Sequence, residues 1–141
     1  MVDKYLEEIG YTPYWNVPAD DNPRFLMERA VYGFDQRETW NLDETFAAWA
    51  YSRLRRLKDV AGIVDWYGEE SMIDIPRIDT NGDLDYVFVE NVTLGDAIDL
   101  MLENFKFYLQ NRYKVEDETL AFNRLSYAAA IWGRVLPALW W

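Results

Sequence analysis

Cysteine and histidine are both absent from the 141 residues. Without thiols there is no disulfide, thiolate metal site, redox relay or cysteine nucleophile, a composition that suits a reducing compartment. Without imidazole as well, zinc sites and histidine general bases drop out, and acid/base chemistry is left to carboxylates, lysine, tyrosine and hydroxyls. Long apolar runs are missing too: none approaches the length of about 18 residues expected of a membrane span. The opening Met1-Val2-Asp3-Lys4-Tyr5-Leu6-Glu7-Glu8 mixes charges and lacks the basic-then-apolar pattern of a secretory signal, so the expected location is the cytoplasm. Nor is there a glycine-rich phosphate loop, a Gly-x-Ser-x-Gly elbow or a dinucleotide fingerprint. The expectation is a chain with no catalytic residues, no cofactor and no metal.

Basic residues are scarce in one region. Residues 59–103 contain twelve acids and a single base, Arg77, whereas residues 1–58 carry ten acids and eight bases and residues 104–141 carry three acids and five bases. The segment charges are −2, −11 and +2, so the middle third alone matches the −11 of the whole chain. Phosphate binding needs Lys and Arg to displace counterions, so direct contact with nucleic acid is disfavoured. A concentrated negative field instead steers a protein toward a basic surface, such as the nucleic-acid groove of another protein. The expected contact residues are Asp65, Glu69, Glu70, Asp74, Asp79, Asp83 and Asp85. The bland alternative is a solvated acidic face that keeps the chain in solution.

The length fits one domain, 1–141, able to bury a core without a staple. Asp3 to Ile9 reads as a short helix capped by Asp3 and stopped at Gly10. Residues 11–18 hold two prolines and no helical period, giving an aromatic-rich loop that packs across the surface. Asn22-Pro23 opens a helix running to about Tyr32 and ending at Gly33. Asn41 to Ala61 is the strongest helical signal, with Asn41 and Glu44 as a capping box, an inward stripe of Leu42, Phe46, Trp49, Ala50, Leu54 and Leu57, and Gly62 closing it. From Ile73 the period changes: Ile73, Ile75 and Ile78, then Leu84, Tyr86 and Phe88, flank Asn81-Gly82, a tight-turn signal that predicts an antiparallel hairpin over about 72–90. Thr93 opens another helix with the stripe Leu94, Ala97, Ile98, Met101, Leu102, Phe105, Tyr108 and Leu109. A last helix from near Asp117 carries Leu120, Leu125, Ala128, Ala129, Trp132 and Leu136 inward until Pro137 ends it, and Ala128-Ala129-Ala130 allow a close helix approach. The fold class is α+β and predominantly α, a helical bundle with a small antiparallel hairpin.

Three patterns resemble sites. Asp79, Asn81, Asp83, Asp85 and Glu90 have the spacing of an EF-hand loop, but Leu84 stands where the sharp turn requires glycine, so calcium is not expected there. Carboxylate pairs such as Glu69-Glu70, Asp83 with Asp85 and Asp96 with Asp99 follow from acidic composition, and nothing marks one as buried in the way glycosidase chemistry demands. Arg53, Arg55, Arg56 and Lys58 match the negative end of the Asn41 helix and read as structural charges rather than a phosphate patch. Most of the seven tryptophans are expected in the core. The pair Trp140 and Trp141 either docks back onto the domain or anchors an oligomer or partner.

The segment Tyr32-Gly33-Phe34-Asp35-Gln36-Arg37-Glu38-Thr39-Trp40-Asn41-Leu42-Asp43, with Ala47-Ala48-Trp49 and Arg53-Leu54-Arg55-Arg56-Leu57-Lys58 after it, resembles a family of small uncharacterised phage and prophage proteins. The match covers about residues 30–60 and lacks the proline that members often carry before the Leu-Lys end. It implies a mobile-element origin and supplies no catalytic residues. Together with the charge, the expected function is a non-enzymatic acidic module that binds a basic protein surface, such as a host nucleic-acid-binding protein, and inhibits a host nucleic-acid-handling or defence complex. The alternative is a homo-oligomeric structural or assembly protein.

Overall fold

The computed structural model describes residues 3–13, 22–61, 66–68, 71–78, 84–114, 116 and 118–139, with the backbone alone at 84–89. The chain is predominantly α-helical with a small two-stranded antiparallel sheet, as the sequence patterns predict. Among the described residues the helices are α1 (Lys4–Glu8), α2 (Pro23–Tyr32), α3 (Leu42–Val60), α4 (Leu94–Asn111) and α5 (Glu118–Val135), and the strands are β1 (Met72–Ile78) and β2 (Leu84–Thr93). Short 3-10 turns lie at Gln36–Thr39 and Leu136–Ala138.

Local capping accounts for where several helices begin. The Asp3 carboxylate accepts from the N–H groups of Tyr5 and Leu6, Asn22 Oδ1 accepts from Arg24 N, and Thr93 Oγ1 accepts from Asp96 N, so each side chain satisfies donors that a first turn leaves free. Gly10 and Gly33 take φ of 72° and 85°, the left-handed conformation that stops α1 and α2. Asn41 occupies the cap position of α3, but its side chain makes no cap hydrogen bond, which corrects the expected capping box. Glu44 is instead buried, and its carboxylate goes to tyrosine hydroxyls. The turn at Asn81-Gly82, the glycine at 62 and the expected helix start at Asp117 lie outside the described residues.

The core gathers α3, α4 and α5 with Leu6 of α1 and Ile75 of β1. All eight residues of the stripe expected on α4 are buried. On α3 the buried face is rotated from expectation: Ala47, Ala48, Ala50, Tyr51 and Leu54 point inward, Leu42 and Trp49 are exposed, and Phe46 and Leu57 are only partly covered. Alanines let the α3 backbone approach its neighbours, and the larger side chains are pushed to the rim. There Phe46 and Trp49 both meet Trp132 of α5 edge to face, at centroid distances of 5.7 and 6.0 Å. The stripe of α5 is also corrected: Ala121, Tyr127, Ala128, Ile131 and Val135 are buried, Leu125 and Trp132 are half-buried, and Leu120, Ala129 and Leu136 are exposed. The tryptophans do not follow the core expectation uniformly either, since Trp66 is buried while Trp40 and Trp49 face solvent.

The hairpin lies on the helices. Residues Met72 to Pro76 pair in register with Thr93 to Val89, after which the ladder steps to Arg77 opposite Asp85 and Ile78 opposite Leu84, with an extra stretch of β2 bulging between them. Buried Ile75 and a bond from Arg134 Nε of α5 to the Asp74 carbonyl (3.0 Å) hold the ribbon down. At its base Gly95 N donates to Trp66 O at 2.7 Å. Asn104, buried in α4, donates to Leu100 O and accepts from Arg124 Nη1 of α5 at 2.9 Å, which keeps a polar group satisfied inside the helix interface.

Candidate functional site

Two carboxylate clusters stand out among the described residues, one in the segment between α2 and α3 and one at the first turn of α3. In the first, Asp35 is buried and its carboxylate takes four hydrogen bonds. Oδ1 accepts from Arg37 N and Nε (3.0 and 2.9 Å), and Oδ2 from Arg37 Nη2 and Arg29 Nε (2.8 and 2.7 Å). Arg37 is buried as well, and its guanidinium lies 4.5 Å from the ring centre of Phe25. The hydrogen bond from Arg37 holds the Asp35 carboxyl well below the usual range, at about 2, against the opposing effect of burial. Glu28 of α2 closes the knot by accepting from Gln36 N at 2.5 Å. The polar side of α2 is thereby turned toward its own chain.

In the second cluster the first turn of α3 meets the end of α4. Glu44 accepts from Tyr11 Oη at 2.8 Å and from Tyr113 Oη, and Asp43 accepts from Tyr108 Oη and from Arg112 Nε at 3.1 Å. The bond to Glu44 pushes the Tyr113 hydroxyl up to about 12, while burial and Asp43 raise that of Tyr108. Burial would raise the Asp43 carboxyl, but its bonds to Tyr108 and Arg112 outweigh that and lower it. Both oxygens of Glu44 are engaged by hydroxyls, so this cluster clamps α3 to α4 and to the chain after α1.

The acidic segment is described only in part. Asp65, Glu69, Glu70, Asp79 and Asp83 lie outside the described residues, as do Trp140 and Trp141. Asp74 is exposed on β1 and accepts from Asn91 Nδ2 of β2 at 2.8 Å, and the backbone of Asp85 pairs with Arg77. Three further acids that the sequence reading did not single out as contacts, Asp96, Asp99 and Glu103, recur at three and four residues along α4 and so share one helix face. Asp96 and Glu103 are exposed, and Asp99 accepts from Lys58 Nζ at 2.6 Å and Tyr67 Oη at 2.8 Å. Helical spacing was the signal that would have found them.

No family model, curated protein or solved structure matches this chain.

Three of the four bases of the α3 cluster are engaged within the chain, and Arg56 is exposed. Arg53 stacks 4.8 Å over Trp49, Arg55 reaches Tyr51 Oη and Glu8, and Lys58 pairs with Asp99. Among the described residues no group of three or more carboxylates is placed to hold a metal ion, and no helix is long and apolar enough to cross a membrane. A cavity of about 110 Å³ is lined by Asp3, Glu38, Thr45, Trp49 and Arg53, among others. Asp3 is already committed to its cap and to Ser52 Oγ at 2.6 Å. Glu38 Oε2 and Thr45 Oγ1 lack hydrogen bonds but are closed off from solvent, so the cavity does not present them to a ligand. An open groove between α3 and α4 mixes Arg55, Lys58 and Lys106 with Asp59 and Glu103 and favours neither sign strongly.

Proposed function

We propose that this chain is a non-enzymatic, protein-binding module of phage or mobile-element type that engages a basic protein surface through its acidic middle segment. The carrying observation is the −11 charge of residues 59–103. The exposed acids of that segment on β1, β2 and α4, Asp74, Glu90, Asp96 and Glu103, support the reading because they leave the field open to solvent. The resemblance of residues 30–60 to small phage proteins supports the origin. A partner whose basic groove normally holds nucleic acid would be blocked by such a surface, which makes inhibition of a host nucleic-acid-handling or defence complex the expected consequence.

The test is association kinetics against purified host nucleases and nucleic-acid-binding proteins across a salt series. Binding should weaken with salt chiefly through slower association, and charge reversal at Asp79, Asp83 and Asp85, or at Asp96 and Glu103, should slow association further. Absent binding, or binding insensitive to salt and to both sets of reversals, would sink the reading.

A further inference from the structure

Among the described residues the ribbon has two strands, and its two edges differ. On β1, Pro76 has no N–H to give, and Arg134 Nε of α5 caps the Asp74 carbonyl at 3.0 Å. Both features place the main-chain groups of Asp74 and Pro76 on the side away from β2, because a proline and a carbonyl capped from outside fit the non-bonded pairs of an antiparallel ladder. Their cross-strand partners are Asn91 and Val89. Those two residues therefore turn their own N–H and C=O outward, while Glu90 and Val92 direct theirs to β1. Asn91 is exposed, and among the described residues nothing bonds to its outward main-chain groups.

The helices leave this edge at the rim. Ile75 and Glu90 lie opposite each other in the ladder and so project from the same face, yet Ile75 is fully buried and Glu90 is exposed. Helix α5 thus packs chiefly on β1 and stops short of the outer side of β2. Sheet edges are ordinarily blunted by proline, lysine, short length or a bulge. Strand β2 is ten residues long, has neither proline nor a basic residue, and bulges only in its first half, opposite the step from Pro76 to Arg77.

We propose that the open edge of β2 is where the basic partner docks, and that the occupant is an extended segment bearing lysine or arginine, added as a third strand. This rests on the reading of the acidic segment as the binding surface. The main-chain groups of the edge call for a strand, since an extended backbone presents donors and acceptors at the matching spacing. The charge calls for a basic one. Strand β2 carries Asp85 and Glu90 and no base, within the segment of net −11. A second copy pairing through the same edge would set like charges against each other, which is destabilising.

The probe is the hexapeptide acetyl-Lys-Val-Lys-Val-Lys-Val-amide, titrated to about 1 mM against the full chain at low salt, with amide exchange read by NMR. Exchange at Asn91 and Val89 should slow about twofold when half the sites are filled, whereas Glu90 and Val92, already in the ladder, should not change. Added salt should release the peptide. Asn91→Pro removes an outward N–H that the ribbon does not use and should weaken binding about tenfold. Asn91→Ala keeps the N–H and should bind as the wild type does. Ladder protection at Glu90 and Val92 reports that each variant retains the ribbon, and Val89→Pro, opposite Pro76, takes over if Asn91→Pro does not. A peptide that fails to bind overturns the inference, as does one that leaves Asn91 exchange unchanged or binds the proline variant equally well. Binding of that last kind, still abolished by salt, would refute the strand mode alone and leave the acidic surface standing.

Discussion

Replacing Asp35 by Asn tests the energetic role assigned to the knot between α2 and α3. Asparagine is nearly isosteric and caps a helical turn as well as aspartate, so the bond from Arg37 N can persist. The charge is lost, and the amide nitrogen now points a donor at a guanidinium. Arg37 is 6% exposed, so its charge would remain buried opposite a neutral amide. Removing one member of a buried pair costs about 3–5 kcal/mol, a large part of the 5–15 kcal/mol typical of a whole domain. Arg29→Ala should cost about 1 kcal/mol or less, because the Arg29 side chain is 38% exposed. Urea unfolding of the two variants and the wild type, with the slope checked for constancy, supplies the values. The pH dependence follows from the same bond. The Asp35 carboxyl falls from its usual 3.8 to about 2 in the fold, so its contribution is complete above pH 3.8 and disappears as pH drops through about 2. The deficit of the Asn variant should therefore shrink over that window. A deficit below about 1 kcal/mol at pH 7, or one that stays constant down to pH 2, would refute the argument.

Other consequences are as direct. Tyr113→Phe removes a hydroxyl bonded to Glu44 and should cost about 1 kcal/mol at pH 7. Because the Tyr113 hydroxyl is raised from 10 to about 12, its contribution is complete below pH 10 and lost as pH rises through about 12, so wild type and variant should converge there in alkaline unfolding. A Cβ added at Gly95 would lie 2.6 Å from the Tyr67 ring, so Gly95→Ala should lower the melting temperature by displacing Tyr67 from Asp99. In a Tyr67→Ala background the same change should be neutral or stabilising, and a double-mutant cycle that shows no coupling would contradict the packing described. Phe105→Ala, at a side chain with no exposed surface, should cost about 3–5 kcal/mol by chemical denaturation, and a loss under 1 kcal/mol would mean that the core is misplaced.

Much of the architecture is written locally. Helix α4 is legible because its large apolar side chains fall on one face and its cap is a threonine three residues before an acid. The ribbon is legible from the alternation of apolar residues, although its register step is not, since a bulge depends on how β2 lies on the helices. The inward face of α3 is not legible from bulk, because its largest apolar side chains do not mark the buried side. Small residues won instead: Ala47, Ala48 and Ala50 occupy the contact, and Leu42 and Trp49 do not. The buried acids were illegible for a related reason. Asp35 and Glu44 look like solvated charges until Arg37, Tyr11 and Tyr113, the last two distant in sequence from Glu44, are brought to them. At the candidate site the sequence yields the charge asymmetry, and helical spacing adds Asp96 and Glu103. The open edge of β2 required the fold, because alternation does not declare which side of a strand is left unpaired.

The edge-to-face contact of Trp49 with Trp132 makes the molecule its own spectroscopic reporter. One indole belongs to α3 and the other to α5, their centroids 6.0 Å apart and their planes at 78°. The intense far-ultraviolet transitions of two indoles that close couple electronically and give a paired circular dichroism band that neither ring produces alone. Its loss would register the separation of the two helices even where far-ultraviolet helicity is unchanged.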